Sequence, residues 1–403
     1  DIYILNRSTK DRTMSKPKKR KTDEQSTKKG KKSTLNSLSN RRNFLTTVGG
    51  GVSIGLAGCL GNGSESGTTI SVGYQPFGTP YWSELVVKHG ELAEKYMPDG
   101  YETEWQSALQ GTVIGNRMIS GENQIGYSGD MATLIALAQD DKPIAKTALS
   151  QWSYGQQCNA VIISNDVADE FNSVEDLDGA QIGATSGACS HRALLTIEEE
   201  EGISIDMQDL DINTILAQVS NGDIDGGIMW EPNPTMAVVQ QDTAEFFMTT
   251  ARYGDSDTGS ITMTDEFIEE EPEAAAGFMK GELEAKNIMK NDPERTVELV
   301  KEEEDLAEYD PETCNHTLYE EVTPGVTRSN FVTDLRECEP ARVHLQEVAA
   351  EFLVDQGTID EIPGEDRYRY GPLDTAIEEL QDEVDWDPTD EFIELDAPSA
   401  TIN

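Results

Sequence analysis

Trp230 and Glu231 follow a short apolar run, Gly226 to Met229, and stand directly before Pro232. The run has the length of a buried parallel strand and Pro232 cannot continue a helix. Both side chains are therefore predicted to leave the carboxyl end of a strand, where ligands of open α/β sheets bind. The indole offers a flat apolar face and one N–H donor, and the carboxylate could hold an ammonium group. Both are candidate ligand contacts, with plain packing as the alternative for Trp230.

A loop of small residues, Ser186 to Ser190, leads into a helix predicted from His191 to Glu201. Backbone N–H groups at the start of a helix bind small anions, because they have no partner within the helix. An ordinary helix cap is the alternative interpretation of the same loop. The candidate ligand-binding residues here are Ser186, Gly187, Cys189, Ser190 and His191.

The order helix, glycine, acid and strand occurs twice, from Val113 to Leu137 and from Asn213 to Pro234. Asp130 follows the glycine of the first copy at the same spacing as Glu231 follows the glycine of the second. Two lobes of similar build are expected, although this order is common enough in α/β proteins for coincidence to be the alternative.

Asp130 directly precedes a predicted helix, Met131 to Ala138, and follows Ser128 and Gly129. An aspartate in this position can cap the helix by accepting backbone N–H groups. It could also contact a ligand. The sequence leaves both interpretations open.

The histidines are scattered at His89, His191, His316 and His344, and no metal-binding spacing joins them to cysteines or acids. Neither a metal nor another cofactor is predicted. Ser190 and His191 are adjacent and lack the glycine-flanked serine turn of hydrolases, so no catalytic residue is assigned.

The charge is distributed very unevenly along the 403 residues, whose net charge is −45. Residues 1–58 hold 14 Lys and Arg against 4 acids, and the remaining 345 hold 17 against 72, a net charge of −55. So acidic a body repels nucleic acid, and no nucleic-acid partner is expected. It is typical of a salt-adapted protein, since the Debye length falls to about 3 Å at 1 M salt.

The N-terminal segment, residues 1–58, has the features of an export signal. Arg41 and Arg42 precede an apolar run, Val48 to Leu60, that is shorter than the roughly 20 residues needed to span a bilayer. Twin arginines indicate the route that exports folded proteins. The small residues before Cys59 resemble a lipobox, so Cys59 is predicted to carry a lipid, with residues 59–68 as a flexible tether.

Four further cysteines, Cys158, Cys189, Cys314 and Cys338, allow three disulfide connectivities. Because disulfides form outside the cell, we expect pairing, with Cys314 to Cys338 and Cys158 to Cys189 as the first choice.

Five segments resemble, in sequence and order, the nitrate, sulfonate and taurine family of ABC-transporter solute-binding proteins, and the resemblance extends over about residues 69–385. These segments are Ile70–Gln75, Ser120–Asp130, Ser173–Gly179, Gly187–His191 and Gly222–Pro232. The resemblance implies an α/β protein with the two-lobed, type II periplasmic-binding-protein fold, in which each lobe is a mostly parallel sheet flanked by helices and the ligand cleft lies between the lobes. Lobe one would comprise 69–156 and a return over 254–403, and lobe two 157–253.

The resemblance also implies which loops face the ligand. It places the first loop at Gln75 and Phe77, and a helix start at Ser128 to Asp130. The loop of lobe two would be Ser186 to His191, and the last loop would be Trp230 and Glu231.

The function that the resemblance implies is that of a monomeric receptor, which binds a small anion of the sulfonate, taurine or nitrate class and delivers it to an ABC permease and its ATPase. A lipid anchor would hold it at the extracellular face of the cell membrane. The alternative is an enzyme or sensor on the same fold, such as a relative of thiamine-pyrimidine synthase or a thiamine-precursor binder. An export signal argues against the synthase.

Overall fold

The computed structural model describes residues 67–139, 143–153, 159–253, 256–323, 326–327, 335–336 and 339–389. The predicted export arginines Arg41 and Arg42, the lipidation site Cys59 and the cysteines Cys158 and Cys338 lie outside these residues. None of the helices in the described part of the chain is long and apolar enough to cross a membrane.

Strands and helices alternate over much of the described chain up to Thr264, and helices predominate after it. The strands are β1 (Thr68–Tyr74), β2 (Tyr101–Ser107), β3 (Ile125–Gly129), β4 (Ile144–Ser153), β5 (Ala160–Ser164), β6 (Gln181–Ala184), β7 (Asp206–Asp209), β8 (Gly226–Met229), β9 (Ala244–Thr249), β10 (Asp257–Thr264), β11 (Glu321–Thr323) and β12 (Val326–Thr327). The α-helices are α1 (Ser83–His89), α2 (Leu92–Tyr96), α3 (Gly111–Ser120), α4 (Asp130–Leu137), α5 (Cys189–Glu201), α6 (Ile212–Ser220), α7 (Asn233–Thr235), α8 (Asp265–Glu270), α9 (Pro272–Asn291), α10 (Pro293–Val300), α11 (Pro311–Tyr319), α12 (Glu339–Val343), α13 (Ala350–Asp355) and α14 (Gly371–Glu383). Two π-helical stretches, Met236–Gln240 and His344–Ala349, continue α7 and α12.

The two large sheets have the same topology. The first has the strand order β2-β1-β3-β10-β4 and the second has the order β7-β6-β8-β5-β9. In each sheet the fourth strand pairs antiparallel with both neighbours and the other four run in one direction. The reversed strand is the one the chain enters after crossing from the other sheet. The predicted fold, two α/β lobes with mostly parallel sheets, is confirmed.

The order helix, glycine, acid and strand occurs twice in the sequence, and its strands are β3 and β8. These two strands hold the same position in the two sheets. Gly121 ends α3 with φ of 83°, and Gly222 follows α6 with φ of 70°. Both values lie in the left-handed region that glycine adopts without strain, so each helix stops where its sequence predicts. Asp211 starts α6 by accepting hydrogen bonds from the N–H groups of Asn213 and Thr214.

Helices cover both faces of the second sheet. Along β5, Val161 and Ile163 pack in one hydrophobic cluster and Ile162 packs in another, because successive side chains of a strand point to opposite faces. The first lobe has a core between its sheet and helices α1 and α9, in which Tyr127 and Phe278 are fully buried.

One local expectation differs from the structure. The apolar spacing from Tyr81 to Tyr96 predicts a single helix, whereas the structure divides it into α1 and α2, because Gly90 closes the first and Glu91 takes a left-handed conformation with φ of 51°. The partners predicted for Cys189 and Cys314 lie outside the described residues, so the disulfide pairing stays a prediction. Cys314 is buried in α11, and burial raises the pKa of its thiol to about 11.

Candidate functional site

A cavity of about 390 Å³ lies at the carboxyl ends of strands from both sheets. Gln75 follows β1, Asp130 follows β3, Thr185 follows β6 and Trp230 follows β8, and all four line the cavity. This is the edge at which open α/β sheets bind their ligands.

Eight of the twelve predicted ligand-binding residues line the cavity. They are Gln75, Gly129, Asp130, Ser186, Gly187, Cys189, His191 and Trp230. The other four, Phe77, Ser128, Ser190 and Glu231, are adjacent in sequence but are not lining residues.

Three helices begin at the cavity. Gln110 to Thr112 line it at the start of α3, Gly129 to Ala132 at the start of α4, and Ser186 to Cys189 at the start of α5. None of the three residues that precede these helices caps its helix with a side-chain hydrogen bond. The partial positive charges of three helix N-termini therefore meet in one cavity, which is an arrangement that favours an anion.

Asp130 is almost completely buried, and its carboxylate is shared among three elements. It lies 2.7 Å from Nε2 of His344 and 3.6 Å from a guanidinium nitrogen of Arg192 in α5, and it accepts the N–H of Met131 at 2.7 Å. Burial opposes ionisation, but the hydrogen bond to His344 and the charges of His344 and Arg192 lower the pKa of Asp130 below its ordinary value. The negative charge at the cavity wall is thus balanced by the protein itself.

The loop after β1 is held from behind by hydrogen bonds. The N–H of Gln75 donates to Oε1 of Glu84 at 2.8 Å, and Nε2 of Gln75 donates to the carbonyl of Tyr127 at 3.2 Å. The indole of Trp82 donates to the carbonyl of Pro76 at 2.8 Å. Gln75 therefore reaches the cavity from a fixed position in lobe one.

Trp230 and Glu231 join the last loop of lobe two to the first loop of lobe one. The indole N–H of Trp230 donates to the carbonyl of Phe77 at 3.1 Å, and the carbonyl of Glu231 accepts the N–H of Thr79 at 3.0 Å. These bonds leave the indole face of Trp230 on the cavity.

The Glu231 side chain is fully buried outside the cavity. Its Oε2 accepts hydrogen bonds from the N–H of Thr235 at 3.2 Å and from the hydroxyl of Thr317 at 3.1 Å. The carboxylate is thus engaged in contacts within the protein.

Ser128 and Ser190 are also buried. The hydroxyl of Ser128 lies 2.8 Å from that of Thr133, and the hydroxyl of Ser190 has no hydrogen-bond partner within the described residues. His191 accepts the N–H of Gly187 on its Nδ1 at 3.3 Å, which steadies the loop before α5.

The sequence interpretation missed thirteen lining residues. They are Tyr81, Gln110, Gly111, Thr112, Met131, Ala132, Ile135, Thr185, Ala188, Phe352, Leu353, Gln356 and Thr358. Gln110 to Thr112 begin the helix of the first duplicated segment. The helix-start argument that was used for Ser186 to Ser190 in the second lobe would have found them if it had been applied to this helix as well. The last four come from a distant part of the chain and carry no local signal.

Within the described residues, no group of three or more histidine, cysteine or acidic side chains is placed to hold a metal ion. The cavity wall combines the starts of three helices, hydroxyls and side-chain amides with apolar side chains, including Met131, Ile135, Trp230, Phe352 and Leu353. Such a wall can bind a small molecule that has a polar, anionic end and an apolar part.

A family model described as NMT1/THI5 like matches residues 114–296. A search of curated protein sequences gave no significant match.

Solved structures share the fold at low sequence identity. The alkanesulfonate-binding protein SsuA from Xanthomonas axonopodis pv. citri, bound to MOPS, has a TM-score of 0.60 at 16% identity and covers 75% of this chain and 98% of its own. The periplasmic aliphatic sulphonate-binding protein SsuA from Escherichia coli has a TM-score of 0.59 at 16% identity, covering 75% and 92%. The periplasmic nitrate-binding protein NrtA from Synechocystis PCC 6803 has a TM-score of 0.61 at 13% identity, covering 80% and 92%.

Proposed function

We propose that the chain is the extracytoplasmic solute-binding receptor of an ABC importer and that its ligand is a small organic anion. The observation that carries this proposal is the meeting of three helix N-termini in one cavity, those of α3 and α5 without a side-chain cap and that of α4 with Asp130, whose charge is already balanced by Arg192 and His344. The solved structures with the same fold that bind sulfonates and nitrate support it.

The cavity favours a sulfonate over the other anions of this class. Its volume of about 390 Å³ and its apolar side chains leave room for more than an inorganic oxyanion such as nitrate. Taurine carries an ammonium group as well, yet Asp130 is the only carboxylate among the described lining residues and it is engaged by Arg192 and His344. A sulfonate with an uncharged organic part fits this wall best.

Export and anchoring belong to the same proposal. Arg41, Arg42 and Cys59 supply a twin-arginine signal and a lipid-attachment site in the sequence. A lipid-anchored receptor at the extracellular face would pass its ligand to a permease and its ATPase, and would act as a monomer.

Thermal-shift screening of the purified protein in molar KCl tests the ligand class. The panel comprises methanesulfonate and longer alkanesulfonates, taurine, nitrate, bicarbonate and a thiamine-precursor pyrimidine. A ligand at 100 times its dissociation constant should stabilise the protein by about 2.7 kcal/mol. We expect this for alkanesulfonates, whereas stabilisation by the pyrimidine alone would contradict the proposal.

The recovered ligand separates a receptor from an enzyme. Mass spectrometry of the small molecule released from the complex should return it unchanged after prolonged incubation. A converted product would instead indicate an enzyme built on this fold.

A further inference from the structure

The segment from His344 to Ile359 forms a third wall of the ligand cavity, beside the two lobes. It contains the π-helical stretch His344–Ala349 and helix α13, and Phe352, Leu353, Gln356 and Thr358 line the cavity. It lies more than 200 residues along the chain from the helix that it covers, since 214 positions separate His344 from Asp130.

This wall is fixed to lobe one. Leu345, Ala349 and Leu353 are buried in one hydrophobic cluster with Met131 and Leu134 of α4. His344 adds the 2.7 Å contact with Asp130 at the start of the same helix. Apolar packing and a buried polar contact together keep the wall in place against α4.

The same wall reaches lobe two through one aromatic contact. The Phe352 ring meets the His191 ring edge to face, with centroids 6.3 Å apart and an interplanar angle of 88°. His191 belongs to α5, whose start lines the cavity. Phe352 thus stands where the third wall meets the second lobe.

We propose that Phe352 determines which organic group the bound anion carries. This inference rests on the proposed function, because it concerns the apolar part of the same ligand. Phe352 is half-buried and lies among the apolar lining residues, whereas the helix N-termini supply the contacts for the anionic group. Its ring therefore sets the limit on the length of the ligand's apolar chain.

Calorimetric titration with linear alkanesulfonates of increasing chain length tests this role. In the wild type, affinity should rise about fourfold for each added methylene, from roughly 0.8 kcal/mol per buried CH₂, until the chain meets Phe352, and should then fall. Phe352→Ala should move the optimum to longer chains and Phe352→Trp should move it to shorter ones. The affinity for methanesulfonate, which has the smallest apolar part of the series, should change least, by less than about twofold in either variant, well under the tenfold step of 1.4 kcal/mol.

The matched control is Val348→Ala on the same segment. Val348 is 42% exposed and does not line the cavity, so the chain-length optimum should stay that of the wild type. Circular dichroism confirms that each variant is folded, and Phe352→Trp keeps the test valid if Phe352→Ala fails to fold.

Three outcomes would overturn the inference, and they differ from one another. An unchanged optimum in folded Phe352 variants would show that the ring does not limit chain length. An equal loss of affinity at every chain length, methanesulfonate included, would assign Phe352 to lobe closure instead. Binding of no sulfonate by the wild type would remove the proposed function itself.

Discussion

The guanidinium of Arg192 in lobe two lies 3.6 Å from the carboxylate of Asp130 in lobe one, and both side chains are at most 4% exposed. This ion pair joins the lobes at the wall of the candidate ligand cavity, where water is largely excluded. Arg192 also donates to the carbonyl of Ser256, next to the strand by which the chain returns to lobe one. The contact between the lobes and the charge of the cavity wall are therefore linked through one arginine.

We expect Arg192→Met to weaken anion binding by roughly tenfold to a hundredfold, because it leaves the Asp130 carboxylate with one partner fewer beside the ligand. A lost contact to a charged group costs about 1–3 kcal/mol. Arg192→Met combined with Asp130→Asn should recover part of the loss, since the uncompensated charge is gone. Calorimetric titration of the wild type, both single variants and the double variant measures the coupling. If the effects of the two single substitutions on the binding free energy simply added, the expected coupling between Arg192 and Asp130 would be contradicted.

Glu84 gives the protein a pH dependence that one substitution should remove. The side chain is fully buried, Oε1 accepts the N–H of Gln75, and Oε2 has no hydrogen-bond partner within the described residues. Burial raises the pKa of Glu84 well above its ordinary value of 4.5. Above pH 4.5 the unfolded chain releases the proton of Glu84, whereas the folded protein keeps it. The contribution of Glu84 to stability therefore falls as the pH rises from 4.5 toward the pKa of the folded state.

We expect Glu84→Gln, which keeps an acceptor for Gln75, to be more stable than the wild type at neutral pH. Its advantage should grow by up to about 1.4 kcal/mol per pH unit between the two pKa values. Urea unfolding from pH 5 to pH 8 measures the difference. Glu84→Ala is the control, because it removes the acceptor and should be destabilised across the whole range. A constant difference between Glu84→Gln and the wild type would show that Glu84 is ionised.

Trp230 and Glu231 are neighbours in sequence, but substitutions should affect different properties. Trp230→Ala removes a lining side chain and should lower ligand affinity by roughly tenfold or more, which corresponds to a loss of about 1–3 kcal/mol of binding free energy. Glu231→Gln replaces an acceptor of two buried hydrogen bonds and should lower the free energy of unfolding by about 1–3 kcal/mol. Titration and urea unfolding of both variants separate the effects. If Glu231→Gln weakened binding as much as Trp230→Ala without loss of stability, the carboxylate would belong to the ligand site.

Local sequence signals predicted the strands and the helix ends well. The apolar run from Ala160 to Ser164 predicts a strand, and β5 has those bounds, while Gly121 and Gly222 end their helices in the left-handed conformation. These features depend on steric and hydrophobic preferences of neighbouring residues, which are visible in any window of sequence. The division of the helix at Gly90 and Glu91 was missed because the apolar spacing continues across it.

The partners of Asp130 could not be predicted in the same way. The sequence indicated a helix cap or a ligand contact, and the structure places Arg192 and His344 against its carboxylate. Both partners are distant along the chain, and nothing in a single sequence pairs them. Phe352 was not a candidate for the same reason. Only the packing of its helix against α4 brings this side chain to the cavity.

Lipid anchoring can be tested with two variants of the N-terminal signal. Cys59→Ser should release the protein from the membrane or leave its precursor unprocessed. Arg41→Lys combined with Arg42→Lys should retain it inside the cell, because the twin-arginine route needs both arginines. Fractionation and immunoblotting measure both results. Unchanged membrane association of both variants would contradict the anchor and the export route together.

The acidic body should make stability depend strongly on salt. Residues 59–403 carry a net charge of −55, and lowering the salt lengthens the Debye length from about 3 Å at 1 M to about 30 Å at 0.01 M. Repulsion among surface carboxylates then acts across the whole surface, so the melting temperature in calorimetry should fall steadily as KCl is diluted. Glu199→Lys with Glu200→Lys changes two exposed acids of α5 and should flatten this dependence, because it reduces the net charge. If the melting temperature of the variant depended on KCl as steeply as that of the wild type, the effect of salt would be due to hydrophobic burial. A melting temperature independent of KCl would show that charge repulsion does not limit stability.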